Sequence, residues 1–157
     1  MAFQAFENQM KARWLDAVAS EDLSEVTDTE WGDGTDLTPQ LTADGISFNF
    51  NNNTVSVDLL DAGKIAQRPG TRGVGATLQA VRDDTTDTFW DTFEYGDEGY
   101  LVVAPFGEPA ADDELYVLQG ACQEPQPQQS AANTYQQAVV EFLAEDWNFK
   151  ATMTSGT

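Results

Sequence analysis

The clearest structural signal in the chain is ISFNFNNNTVSVDL, at residues 46–59. Apolar and polar residues alternate over Ile46–Phe50 and again over Val55–Leu59, which is the period of a half-buried β-strand. Three asparagines at 51–53 separate the two runs, and asparagine is favoured in tight turns. The pattern therefore predicts a β-hairpin that turns at residues 51–53.

The pattern stays β on the C-terminal side of this hairpin. Glycines, a proline and three basic residues at 62–75 predict a mobile loop or the tip of a long hairpin. One short helix is predicted at 88–93, because acids and capping residues precede three aromatics. A polar Pro/Gln linker is expected at 124–130, and a turn at Glu145–Asp146 separates the two closing strands. The predicted strands in this half lie at 74–81, 100–106, 115–120, 135–143 and 147–153.

The first forty residues carry a different pattern. A short amphipathic helix, or an arm that orders on a partner, is predicted over 3–19 from the helical spacing of Phe3, Phe6, Met10, Trp14 and Val18. Residues 20–40 are acidic and turn-rich, with few core-forming side chains apart from Trp31. They indicate an extended arm that is mobile in the free subunit.

These elements predict a mainly β fold in one domain. We expect an antiparallel β-sandwich or barrel with one short flanking α-helix, an extended N-terminal arm and a long hairpin loop. The predicted division is an N-terminal arm at 1–40, a β domain at 41–153 and a C-terminal tail at 154–157.

Composition excludes several kinds of chemistry. The 157 residues contain no histidine and a single cysteine, Cys122. A Ser-His-Asp or Cys-His nucleophile is therefore excluded, and thiol- or imidazole-ligated metal sites nearly so. No apolar run approaches the ~20 residues that cross a membrane. The N-terminus lacks the pattern of a signal peptide, so we expect the protein to be made and kept in a cytoplasm.

The abundant carboxylates do not form a catalytic or metal-binding motif. The 27 Asp and Glu residues include five runs of adjacent acids, which lie mostly at predicted turns and loops, and the calcium-loop pattern is missing. The glycine-rich run Gly70–Gly75 has no following Gly-Lys-Ser/Thr, so it is not a phosphate-binding loop. We predict no catalytic residue, no cofactor and no metal, and hence a protein that is not an enzyme. A carboxylate-based hydrolase is the weakest alternative.

Charge is distributed unevenly along the chain. The formal net charge is −20, yet residues 63–82 contain four basic residues and no acid. Residues 83–149 contain fifteen acids and no base. Sequence-independent DNA binding needs many Lys and Arg contacts to phosphates, so a chain this acidic is not expected to bind DNA.

The order of these features resembles the tail-tube (major tail) proteins of siphophages, particularly those of phages that infect actinobacteria. The segment Thr35–Leu41 precedes a hairpin, a Pro-Gly basic loop follows, and then come a strand and a short helix. GYLVVAPFG at 99–107 and DELYVLQG at 113–120 lead into a Pro-rich turn and the closing strands. The resemblance covers residues 35–153 and rests on element order and composition.

The resemblance implies a structural virion protein of the phage tail. Subunits of such proteins form hexameric rings that stack into a hollow tube around a tape-measure protein, and DNA later passes through without specific binding. Terminator and tip proteins close the ends. An N-terminal arm, a long hairpin loop and a C-terminal arm join the rings, and the candidates here are residues 1–40, 61–75 and 150–157.

The basic residues gain a role in such an assembly. We expect Lys64, Arg68 and Arg72 to dock onto an acidic surface of a neighbouring subunit, because like-charged rings need complementary patches to stack. An acidic lumen would keep DNA from adhering to the wall. Two other classes of function stay open: a tail terminator or head-tail completion subunit, and an acidic DNA-mimic inhibitor.

Overall fold

A computed structural model of the protein describes residues 10–59, 64–83, 85–128 and 136–155. The strands in these residues are β1 Lys11–Leu15, β2 Glu25–Thr27, β3 Thr35–Asp36, β4 Leu41–Leu59, β5 Lys64–Val81, β6 Glu98–Ala104, β7 Glu114–Cys122, β8 Gln126–Gln128 and β9 Gln137–Thr154. The helices are α1 Asp28–Asp33 and α2 Thr88–Thr92.

All the described strands belong to one sheet. Its main path runs β3-β1-β6-β7-β9-β5-β4, and the short strands β2 and β8 also pair with β9. Every pairing is antiparallel except that of β2 with β9. The predicted mainly β, antiparallel fold is therefore confirmed, with two short helices in the described residues where one was expected.

The sheet is strongly curled. The rings of Phe48 on β4 and Tyr116 on β7 lie 5.9 Å apart between centroids. These strands are separated by β5 and β9, so in a flat sheet they would be about 14 Å apart. The sheet thus bends toward the face that carries both rings and forms a half-barrel.

The concave face of the half-barrel holds the larger core. Because side chains alternate across a strand, every second residue of β1, β6, β7, β9 and β5 points inward. Phe89 of helix α2 and Phe93 at its C-cap close the space, and both are buried. Trp14 is central, since its ring packs edge-on against Phe93 at 5.1 Å and Phe142 at 5.5 Å.

The convex face is covered over only part of its width. Val102 and Ala104 of β6 and Leu115 and Val117 of β7 are buried there beneath residues 15–31. Within the covering segment, Thr27 and Glu30 form a capping box at the start of α1. The indole Nε1 of Trp31 also donates to Glu108 Oε1 at 2.9 Å.

The N-terminal segment differs from the prediction. In place of the helix expected over 3–19, the described residues contain strand β1, because buried Ala12 and Trp14 alternate with half-buried Lys11 and Arg13 and pair with β6. Residues 20–40 contain more core than expected, since Leu23, Val26 and Leu37 are buried along with Trp31. Residues 10–40 therefore lie against the sheet, while residues 1–9 lie outside the described part. How the chain divides into arm and domain within an assembled particle stays a prediction.

The hairpin is much longer than predicted. Residues 51–53 do not turn but continue β4, which pairs with β5 from Leu41 opposite Ala80 to Leu59 opposite Lys64. The predicted basic loop at 62–75 is a strand from Lys64 onward. Pairing with β5 overrides the local turn preference here: Asn51 and Asn52 lie opposite Gly73 and Arg72. Asn53 lies at an irregularity in the register, where its Nδ2 donates to Thr71 Oγ1 at 2.7 Å.

The C-terminal strands also differ from the prediction in one place. Residues 137–154 form the single strand β9, and the expected turn at Glu145–Asp146 is an irregularity in its pairing with β7. Gly120 lies at this point, where a Cβ would collide with the carbonyl oxygen of Leu143. The predicted linker contains β8. The predicted helix is confirmed as α2, which Asp87 caps by accepting a hydrogen bond from Trp90 N.

Candidate assembly interface

The long hairpin extends past the rest of the sheet. Strand β5 pairs with β9 from Val74 to Val81, and among the described strands residues 64–73 pair with β4 alone. Phe50 and Arg72 still contact β9. Beyond them lies a two-stranded ribbon at 53–59 and 64–71, here called the distal hairpin. At 3.3 Å per residue its strands are about 25 Å long.

Aromatic side chains fix the direction in which the hairpin leaves the body. Phe149 of β9 packs at 5.6 Å against both Phe48 and Phe50. Arg72 of β5 lies with its Cζ atom 5.7 Å from the ring of Trp147, within the range of a cation–π contact. Phe50 nevertheless remains 58% exposed, so this anchoring cluster is open on one side.

The structure places the predicted contact residues Lys64, Arg68 and Arg72 on one strand. They stand opposite Leu59, Val55 and Asn52 of β4. The three positions are spread along about 25 Å of β5, whereas the sequence predicts them in one mobile loop or at a hairpin tip. Arg72 is at the base of the distal hairpin and already rests on Trp147.

Two other basic residues are engaged within the body. Arg13 lies 4.0 Å from Asp36 and donates to the carbonyl oxygens of Trp31 and Gly34. Arg82 pairs with Asp87 at 2.8 Å and stacks 3.9 Å from the ring of Trp90. Partial burial raises the pKa of Asp87, but hydrogen bonds from Arg82 and Gln40 outweigh it and leave that pKa lowered overall.

The strands at the two edges of the sheet differ in length and in how much of their backbone is paired. At one end, β3 is two residues long, and Thr38 closes the edge of β1 by accepting from Ala12 N at 3.0 Å. At the other end, β4 is nineteen residues long and has a pairing partner on one side only within the described chain. A long strand edge with free N–H and C=O groups is a template for pairing with another chain.

No centre for chemistry accompanies these surfaces in the described residues. They contain no group of three or more acidic or cysteine side chains able to hold a metal ion. Cys122 is buried, and burial, followed by the charge of Asp97, raises the pKa of its thiol. None of the described helices is long and apolar enough to cross a membrane.

Sequence reasoning missed the anchoring cluster and the open edge. The alternation of Phe48 and Phe50 with polar residues placed both on one face, which was a usable signal. Their contacts with Tyr116 and Phe149 depend on the curl of the sheet, which no local pattern encodes. The open edge of β4 follows from strand order, a non-local property.

Comparison with known families gives a match that covers most of the chain. A family model described as phage tail tube protein matches residues 7–152, almost the whole chain. A comparison with curated proteins gives no match. Proteins of the matched family are structural components of the virion tail rather than enzymes, and they self-assemble into a tube. The chain belongs to the phage tail tube protein family.

Proposed function

We propose that this chain forms hexameric rings that stack into the hollow tail tube of a siphophage. The observation that carries the proposal is the β4–β5 hairpin, which combines a nineteen-residue edge that no other described strand covers with a two-stranded projection. An isolated two-stranded ribbon is marginally stable in water. Contact with a neighbouring subunit would supply the missing packing.

The remaining partners follow from this role. The tube surrounds a tape-measure protein, meets terminator and tip proteins at its ends, and later passes DNA without binding it specifically. Before assembly the subunit resides in the host cytoplasm. A net charge of −20 supports weak contact with DNA, because an acidic wall repels the phosphate backbone.

The basic residues of the hairpin join one subunit to another in this proposal. Lys64, Arg68 and Arg72 approach an acidic surface of a neighbouring copy and offset the repulsion between like-charged subunits. Arg72 contributes from the base of the distal hairpin, and Lys64 and Arg68 belong to the distal hairpin itself. The joining roles predicted for residues 1–40 and 150–157 remain part of the proposal.

Negative-stain electron microscopy of the concentrated protein tests the proposed function. Long hollow tubes are expected. Single rings that never elongate would favour a tail terminator or completion subunit instead. A monomer or compact dimer at all concentrations would contradict the proposal and favour the DNA-mimic class.

Reversal of Lys64, Arg68 and Arg72 to Glu is expected to abolish tubes while circular dichroism shows a folded subunit. Two further variants with the same change in net charge show whether the position of the charges or their total affects assembly. Replacement of the three by Gln lowers the net charge by three, and so does replacement of the exposed Gln126, Gln128 and Gln136 by Glu. Only the first member of the pair is expected to impair assembly. Normal tubes from the reversed variant would contradict the docking role.

A further inference from the structure

A cleft of about 310 Å³ lies beside helix α2. Its walls come from the helix, from the turn that leads to β6, and from the segment after β7. Trp90, Tyr95 and Pro125 supply apolar surface, and Tyr95 is 79% exposed. This volume is at the lower end of the range for small-molecule sites, roughly 300 Å³, so it suits one long side chain rather than a large ligand.

The rim of the cleft is negatively charged. Asp91, Glu94 and Glu124 line it, and all three are exposed. None of them forms an ion pair with a described basic side chain. The guanidinium of Arg82, which stacks on Trp90, is paired with Asp87. Aromatic faces ringed by unpaired carboxylates are the chemistry that binds an ammonium or guanidinium group.

The walls are held in place before any ligand arrives. The side chain of Gln40 accepts a hydrogen bond from Phe89 N at 2.7 Å and donates to Asp87 Oδ1 at 2.8 Å. The turn beyond α2 is tied to the end of β7, because Gly96 N donates to the carbonyl of Cys122 and Cys122 N donates to that of Asp97, each at 2.9 Å. A preformed cleft binds with a smaller entropic cost than one that must be ordered.

We propose that this cleft receives a basic side chain from the distal hairpin of a second copy, Lys64 or Arg68. The inference rests on the proposed self-assembly and names the acceptor surface for it. Arg13 and Arg82 are engaged within their own chain, and Arg72 rests on Trp147. Lys11 and Lys150 lie on the body strands β1 and β9, so the basic residues of the distal hairpin are Lys64 and Arg68. The distal hairpin is about 25 Å long, compared with a radius of gyration of about 15 Å for a chain of this length. It can therefore reach past its own body to a neighbour.

The test compares two variants with the same change in charge. One carries Asp91→Asn, Glu94→Gln and Glu124→Gln in the cleft. The other carries Asp112→Asn, Glu114→Gln and Glu141→Gln, at exposed positions of the turn before β7, of β7 and of β9. The minimum protein concentration that yields tubes is measured by sedimentation and electron microscopy. We expect it to rise at least tenfold for the cleft variant and to stay level or fall for the control, because the control loses only general repulsion.

Exchange of charges between the cleft and the distal hairpin identifies which basic residue enters the cleft. A chain with Glu94→Arg is combined with Arg68→Glu or with Lys64→Glu, and recovery of tubes by one combination is expected. A cleft variant that assembles at the wild-type concentration would overturn this inference and leave the proposed function intact. A wild-type chain that forms no oligomer at any concentration would overturn both.

Discussion

The body of the sheet and the distal hairpin are built from the same kind of strand but differ in what covers them. Strand β6 in the body is buried on both faces, with Val102 and Val103 fully enclosed. In the distal hairpin, every side chain the structure describes apart from Gly70 is exposed, including Thr54, Ser56 and Gln67. Burial of apolar area is the main source of folding stability. The body therefore folds the subunit, and the hairpin contributes little until another surface meets it.

The largest effect is expected from a substitution at the centre of the body. Trp14→Ala removes a ring that is 5% exposed and packs against Phe93 and Phe142. The lost contacts and the cavity should lower the free energy of unfolding by about 3–5 kcal/mol. Urea denaturation followed by circular dichroism measures the loss.

An exposed aromatic residue serves as the control for this substitution. Tyr95→Ala removes a ring of similar size that is 79% exposed, so the free energy of unfolding should change by no more than about 0.5 kcal/mol. Comparable losses from Trp14→Ala and Tyr95→Ala would contradict the assignment of stability to the body.

The body was also the part that the sequence predicted best. Strands β6 and β7 and helix α2 carry strong local signals: apolar runs bounded by turns, and an aspartate cap before an aromatic run. Strand β1 was missed because Phe3, Phe6, Met10 and Trp14 mimic a helical period, while Ala12 and Trp14 alternate in the sheet. The asparagines at 51–53 and the acids at 145–146 favour turns locally, so the sequence predicts turns at both places. They lie in strands instead, because pairing over long sequence separation overrides local preference.

A smaller effect is expected at the charged rim of the body. Asp87→Asn keeps a side chain that can cap α2 but removes the ion pair with Arg82. Because that pair is only partly shielded from solvent, the loss at pH 7 should be about 1 kcal/mol. Asp91→Asn, an exposed change in the same helix, is the control and should have almost no effect.

The pH dependence of this loss gives a second measurement. The pKa of Asp87 is lowered in the folded protein from an unfolded value of 3.8. The stabilisation is therefore fully present above pH 3.8 and disappears as the pH falls through the folded pKa. The difference in unfolding free energy between wild type and Asp87→Asn should shrink in that acidic range. A difference that persists unchanged at pH 2 would show that the ion pair is not its source.

The sequence predicted the basic residues of the candidate interface but not the contacts that they make. Charge counting identified Lys64, Arg68 and Arg72 because they stand out in an acidic chain. It could not show that Arg72 lies on Trp147, since those residues are far apart in sequence. Nor could it find the cleft beside α2, whose carboxylates and aromatic rings come from two separate segments. Such sites depend on strand order and sheet curl.

The smallest effect on folding is expected in the distal hairpin, where Thr71→Ala removes the hydroxyl that accepts from Asn53. Both groups are exposed and bond to water once separated, so the unfolding free energy should change by less than about 0.5 kcal/mol. Thr38→Ala is the matched change in the body. It removes an acceptor for Ala12 N, a group on a buried strand residue, and should cost about 1–2 kcal/mol. Urea denaturation measures the loss in unfolding free energy for both substitutions. Equal losses would mean that the hairpin unfolds together with the body as one cooperative unit, and that it is stable without contact with a neighbouring subunit.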